Sequence, residues 1–507
     1  MSCLYSVIWL PLRFILLLLF SPIMTVVYWA LVIVVGVPSQ LFRKLVSFFA
    51  RQLDGDLGNL VESTGGLLGR DFADLAISPS QTITVILKIK GKCDIQTLRN
   101  HILHTWVCKR EGANGPLEYP ELRQYITSRL GYLIFKWDRE FDIANHVNLY
   151  DSGMTVVNDE KLQDIWENVS KRPFKSKRSP WEFFLIPNYY ESQTQGKIFE
   201  KIPEEERHCV WILRLHHSMC DGFSIYRLLI SLTDQGLPLW GRETACEVQK
   251  NFKFLMNFKA LLSGPTSLAK VFLQGFDYLH DLHYSHNRLL RKYSIVTSSL
   301  DVQLVKNASK LHNISFHAVL IGALSGGIRK YLLENNLSIP HQPIRLGMPI
   351  SHPNHTTKLR NEWLSAMINL PVRKKTAKLR VLAMKEILKE LKRSSLIPVL
   401  TQSMAFISGF PFPAVRFLTK KSGTSVMYSE MRAPNVPLTF FEKRMTLTDL
   451  MYSFGLGTED LGIGFNSISY NGKIKLILTL DQGIFNTKEK GELLMSYILS
   501  DLEDLQH

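Results

Sequence analysis

The stretch that most limits how this chain can fold is His208–Gly222, HCVWILRLHHSMCDG. Val210, Trp211, Ile212, Leu213 and Leu215 are β-formers in a run, which predicts a buried strand. Asp221-Gly222 signals a turn, and beyond it Ile225, Leu228, Leu229 and Leu232 recur at helical spacing. His216 and His217 therefore stand at a strand end, ahead of a tight turn and a helix. That is a rigid mount for a base whose ring must point into a cleft. A neutral imidazole can take a proton from a hydroxyl while that hydroxyl attacks a carbonyl. Asp221, across a turn closed by Gly222, can fix the local geometry. With this chain's own residue usage, HHxxxDG arises by chance in roughly 0.001 of such sequences. The plainer reading is a structural histidine pair satisfied by backbone carbonyls.

The rest of the chain alternates strands with helices. Thr82–Ile89, Gly131–Trp137, Ser179–Ile186 and Ile344–Ile350 read as strands, while Ile95–Val107, Ser315–Leu333, Lys374–Arg393 and Glu489–Leu505 read as helices. Asn471-Gly472 joins two further strands as a hairpin, Gly462–Tyr470 and Lys473–Asp481. This alternation predicts an α/β chain. Its 507 residues divide into an apolar anchor (1–51), an N-terminal domain (52–240), a crossover linker (241–300) and a C-terminal domain (301–507). Residues 52–78, rich in glycine, read as a linker into the globular part.

Phe14–Val37 carries no charge and is long enough to span a bilayer of about 30 Å. It is too long for a secretory signal, and Pro22 permits a re-entrant hairpin instead of one span. Arg43, Lys44 and Arg51 follow it, so the globular part is expected on the cytoplasmic side. A net charge of +15 suits anionic lipid or a phosphate-bearing ligand. Basic residues are spread over several helices with no nucleic-acid-binding motif, so no nucleic acid is expected. Cys3, Cys93, Cys108, Cys209, Cys220 and Cys246 show no CxxC spacing and read as free thiols of a reducing compartment.

HHSMCDG is similar to the HHxxxDG signature of the coenzyme A-dependent acyltransferases. Within that superfamily the chain resembles the wax ester synthase / acyl-CoA:diacylglycerol acyltransferase family. Further matches run in order: Phe141, His146 and Val147; Pro180, Trp181 and Glu182; Asn361; Asn435, Val436 and Pro437; Ser469, Tyr470 and Gly472; and Asp481. The chain departs from the pattern at His317-Ala318, where the family has Asn-Asp, at Arg360, which replaces a glycine, and at Leu438 and Thr439.

The resemblance implies two chloramphenicol-acetyltransferase-like α/β domains with an interdomain channel. It implies His217 as general base, Asp221 holding the loop in shape and His216 in support. Gly222, Asn361, Asn435 and His317 are the candidate substrate-binding residues. Glu182 is either a carboxylate near the site or half of a salt bridge. Acyl-CoA is the implied co-substrate, with a long-chain alcohol or diacylglycerol as acceptor and no metal or other cofactor. The implied location is a membrane: endoplasmic reticulum first, lipid droplet or plasma membrane as alternatives. Two rival readings stay open: a membrane-tethered acyl-CoA- or lipid-binding protein without turnover, and transfer to a small soluble alcohol such as carnitine.

Overall fold

Strand His208–His216 lies inside a seven-stranded sheet, buried along all but its first residue, as its apolar run requires. The computed structural model describes residues 23, 25–69, 71–72, 79–153, 156–191, 207–236, 280, 282, 292–341, 343–351, 355–420, 423–458 and 460–507. The expected linker lies mostly outside these residues.

In the first sheet Thr82–Lys90 and Trp181–Tyr190 flank His208–His216, both antiparallel, with Thr82 opposite His216 and Trp181 opposite Leu215. Helix Asp159–Lys171 covers the face that carries Thr84 and Arg214: Ser170 Oγ donates to Thr84 Oγ1 at 2.9 Å and Arg214 Nη1 to the Val169 carbonyl at 2.6 Å. Trp106, which donates to the Leu228 carbonyl and packs on Trp181 and Phe183, covers the other face. With both faces covered, strand Thr82–Lys90 is buried except at Lys90, even though the polar Thr82, Thr84 and Lys88 alternate with its apolar residues.

The second sheet has six strands in the order Trp363–Asn369, Arg345–Ser351, Val426–Arg432, Ile463–Tyr470, Lys473–Asp481 and Tyr293–Asp301. Its helices are Val302–Leu311, Phe316–Glu334, Ala377–Arg393 and Lys488–Glu503. Small residues let them approach: a Cβ on Gly322 would lie 2.5 Å from Val381, and one on Gly327 2.4 Å from Ile498. The hairpin turn is as expected, with positive φ at both Asn471 and Gly472. On the basic helix Arg380 points inward to Asp501.

Three expectations need correction. Tyr293–Asp301, read as linker, is an edge strand of the second sheet. The chain also crosses back: Thr439–Phe440 and Met445–Phe454 complete the first sheet, the latter antiparallel to Thr82–Lys90. The sheets therefore do not divide at residue 301. The glycine-rich segment 52–78 is no simple linker either. It forms strand Leu57–Leu60, in a small sheet with Gln124–Arg129 and Tyr132–Trp137, and helix Ser63–Leu68. Gly65 serves close contact rather than flexibility: a Cβ on it would lie 2.7 Å from the Ser218 carbonyl.

One carboxylate ties the halves together. Asp221 caps helix Gly222–Ser231 by accepting from Ser224 N at 2.9 Å. It also accepts from Glu362 N at 2.8 Å and from His355 Nε2 at 2.8 and 3.0 Å, both on the segment leading into the second sheet. Nδ1 of His355 faces the Thr356 carbonyl at 2.8 Å. Both ring nitrogens thus face acceptors, and the ring carries two protons. Burial opposes that charge, but Asp221, Thr356 and Glu362 outweigh it and raise the pKa of His355.

Two predictions follow from these buried charges. Arg214, fully buried, pairs with Glu182 at 3.1 Å, and burial pulls its pKa down to about 10 against the pull of Glu182. Glu182→Gln strands that guanidinium and should cost about 3 kcal/mol in denaturant unfolding. His355→Gln should lower the melting temperature most on the acid side. The folded pKa of His355 lies above 6.5, so its contribution is full below that pH and fades as pH rises through the folded value. A melting-temperature gap that widens toward alkaline pH would contradict this.

Candidate active site

The strand-to-helix turn presents its two histidines differently. His216 is fully buried. Ser218 N donates to its Nδ1 at 3.3 Å, which leaves the ring proton on Nε2, 2.9 Å from Asp71 Oδ1. Both nitrogens are engaged, so neither offers a free lone pair. Asp71 also accepts from Ser80 N at 2.6 Å, Ser80 Oγ at 2.9 Å and Gln81 N at 3.0 Å. Burial opposes its ionisation, but His216 and Ser80 prevail and hold the carboxyl well below the usual carboxylate range. Sequence reading missed Asp71. It sits in the glycine-rich segment, 145 positions from its partner, with no local pattern to mark it.

His217 is only partly buried. Its backbone N–H donates to the Gln81 carbonyl at 2.7 Å, which fixes the turn against the first sheet. Asn361 grips the residue from the second domain. Asn361 Nδ2 donates to the His217 carbonyl at 2.8 Å, so the amide oxygen is the end that meets ring Nδ1, at 3.0 Å. An oxygen there only accepts, so Nδ1 carries the proton and Nε2 keeps a bare lone pair. Among the described residues no hydrogen bond reaches Nε2. Burial of the ring, with His216 beside it, lowers the pKa of His217. Its own backbone, Asp221 and Asn361 offset only part of this. The imidazole is therefore neutral at pH 7.

Asn361 is itself held: its carbonyl accepts from Thr64 Oγ1, and the adjacent Arg360 pairs with Glu62. Arg360, in place of the family's glycine, thus ties the second domain to the segment before helix Ser63–Leu68. Gly222 opens its helix, and a Cβ there would only touch Met431 Sδ at 3.5 Å.

The other candidates make contacts of their own. His317 pairs with Glu430, whose carboxylate also takes Tyr428 OH and Arg432 Nε, each at 2.9 Å. Glu430 and Met431 point to opposite faces of strand Val426–Arg432, and Met431 is the one that approaches Gly222. Asn435 is exposed in the segment that carries the chain back to the first sheet. No hydrogen bond or ion pair joins His317 or Asn435 to His217. His146 is a core residue stacked between Phe141 and Trp181, and burial takes its pKa down to about 4. Cys220 is buried, and burial raises its pKa well above the usual thiol value, so no thiolate is available there.

Residues 361–506 match the model of the WS/DGAT C-terminal domain. The wax ester synthase/diacylglycerol acyltransferase 2 of Arabidopsis thaliana is 23% identical over 213 residues, which cover 38% of this chain and 40% of that relative. Among solved structures, the wax ester synthase/diacylglycerol acyltransferase from Marinobacter aquaeolei VT8 superposes on 88% of this chain and 98% of its own, with a TM-score of 0.57 at 14% identity. The trichothecene 15-O-acetyltransferase from Fusarium sporotrichioides covers 89% of this chain and 95% of its own, with a TM-score of 0.59 at 10% identity. At such identities the structural likeness concerns the fold, the two-domain α/β arrangement read from the sheets above. Residues 361–506 thus carry the WS/DGAT C-terminal domain, and the fold around them is the one shared with these acyltransferase structures.

Proposed function

We propose that this protein is a membrane-bound O-acyltransferase that moves a fatty acyl group from acyl-CoA to a lipid hydroxyl, with His217 as general base. The observation that carries the reading is the bare Nε2 of His217, left free because Asn361 occupies Nδ1. A binding protein without turnover has no need of a neutral histidine oriented in this way.

In the proposed reaction His217 Nε2 takes the proton of the acceptor hydroxyl as its oxygen attacks the thioester carbonyl. The tetrahedral adduct collapses, the C–S bond breaks, and the imidazolium returns the proton to the departing thiolate. The products are an ester and free coenzyme A. No acyl-enzyme is required, because the thiolate leaves readily. Asn361 steadies the imidazolium through Nδ1, and Asp221 keeps the turn and the second domain in register.

The acceptor we propose is a long-chain alcohol, giving a wax ester, or diacylglycerol, giving triacylglycerol. The name of the Arabidopsis relative supports both. Helix Thr25–Leu53, 29 residues with few of them buried, is long and apolar enough to cross a membrane, which favours an acceptor that resides there. The endoplasmic reticulum, with the catalytic part facing the cytoplasm, fits the cations that follow the apolar run.

Microsomes carrying the protein, labelled acyl-CoA and alternative acceptors test the reading directly. His217→Ala should lower ester formation about 10²- to 10⁴-fold while membrane association survives a carbonate wash. Ester synthesis at the wild-type rate in that variant would reject the mechanism. The pH profile of kcat/KM supplies a second check. Because the pKa of His217 is lowered, its acidic limb should fall below pH 6.5, with the rate lost only as pH drops through that value. A limb at or above the ordinary histidine value would assign the base elsewhere.

A further inference from the structure

The helix that follows the apolar run is built inside out. A surface helix of a soluble domain turns its apolar stripe inward and its polar residues to water. Along Val37–Leu53 the inward side carries Arg43, Val46, Ser47 and Ala50, with Gly36 just before. Arg43 Nη2 donates to the Val61 carbonyl at 2.5 Å, and a Cβ on Gly36 would lie 2.5 Å from the Phe406 ring. The outward side carries Leu41, Phe42, Leu45, Phe48, Phe49 and Leu53, all exposed.

Two further elements extend this face. At the hairpin between Gln124–Arg129 and Tyr132–Trp137, Leu130 is 74% exposed with φ 46°, where a turn in water favours glycine or asparagine. In helix Phe412–Leu418, Phe417 is 79% exposed and Leu418 lies beside it. The three elements adjoin. Phe412 N donates to the Gly131 carbonyl at 2.5 Å, Tyr132 OH donates to the Gly409 carbonyl at 2.9 Å, and the Tyr132 ring lies 6.1 Å from Phe42.

We infer that the outer face of Val37–Leu53, the Leu130 turn and helix Phe412–Leu418 form one surface that seats this protein on a lipid bilayer. Continuity argues for lipid over a second copy of the chain. The face prolongs the helix that is apolar enough to cross a membrane, and no charged residue occurs from Phe14 to Phe42. Exposed Lys44, Arg51, Arg416 and Lys420 lie on the same elements or next to them, placed for anionic headgroups. Asp54, which ends the helix, is engaged by Lys136 at 2.6 Å and Arg129 at 3.6 Å.

The surface is one layer from the catalytic turn. Phe412 packs on Phe72, next to Asp71, which holds His216. Resting on the function proposed above, this is the side from which the acceptor lipid arrives.

The test uses the full chain with Cys3, Cys108 and Cys246 replaced by serine and single cysteines at Phe48, Leu130 or Phe417 labelled with an environment-sensitive fluorophore. Labels at Val27 and Leu311 mark the anchor and a remote exposed leucine. In phosphatidylcholine vesicles with a minority of phosphatidylserine, labels at 48, 130 and 417 should lose fluorescence to doxyl-labelled lipid and resist aqueous iodide. The label at 311 should do the reverse. If only the label at 27 is quenched by lipid, the anchor alone meets the membrane and the inference is overturned. It is equally overturned if the three labels are shielded in detergent and cross-link between copies. Acyl transfer is followed in the same vesicles. Lipid quenching without transfer upholds the surface while counting against the proposed reaction, and transfer without quenching rejects the surface alone.

Discussion

The Asp221 carboxylate is the constraint on which the rest depends. It takes hydrogen bonds from Ser224 N, Glu362 N and His355 Nε2, so one side chain caps the helix after the histidine turn and secures the connection between strands Arg345–Ser351 and Trp363–Asn369 of the second sheet. Helix-capping alone would satisfy one oxygen. The other oxygen joins the domains, and with Glu362 held the neighbouring Asn361 stands where its amide meets His217. The charge on His355 is sustained by the same contact. Capping, domain registration and the tautomer of the proposed base thus have a common origin.

This shared origin separates the histidines by role. They are adjacent in sequence and alike in composition, yet one ring has both nitrogens engaged and the other has one free. Asp71 and Ser218 make the first a fixture, while Asn361 leaves the second with an open lone pair. Exposure follows the same division. The difference lies in partners drawn from residues 71 and 361, on either side of the motif.

Much of this was legible in the sequence, and the parts that were not share a physical cause. Strand His208–His216, the helix opening at Gly222, the Asn471-Gly472 turn and the apolar helix are local features, governed by periodicity and turn chemistry. Asn361 was reached through a family pattern. Asp71 and His355 escaped because their meaning lies in partners 145 and 134 positions away. Segment 52–78 misled for a related reason: glycine marks both flexible chain and close backbone approach, and only the Ser218 carbonyl beside Gly65 distinguishes them. Likewise Met445–Phe454 declares itself a strand without declaring which sheet it will join.

The returning strand has a mechanical consequence. Met445–Phe454 is laced along Thr82–Lys90 by a ladder from Thr446 to Phe454, while Val426–Arg432 before the returning hairpin and Ile463–Tyr470 after it belong to the other sheet. Two bodies sewn together in this way cannot swing apart like the shells of a bivalve without stripping that ladder bond by bond. Under the proposed reaction, substrates would reach His217 by threading past side chains while the backbone frame stays closed.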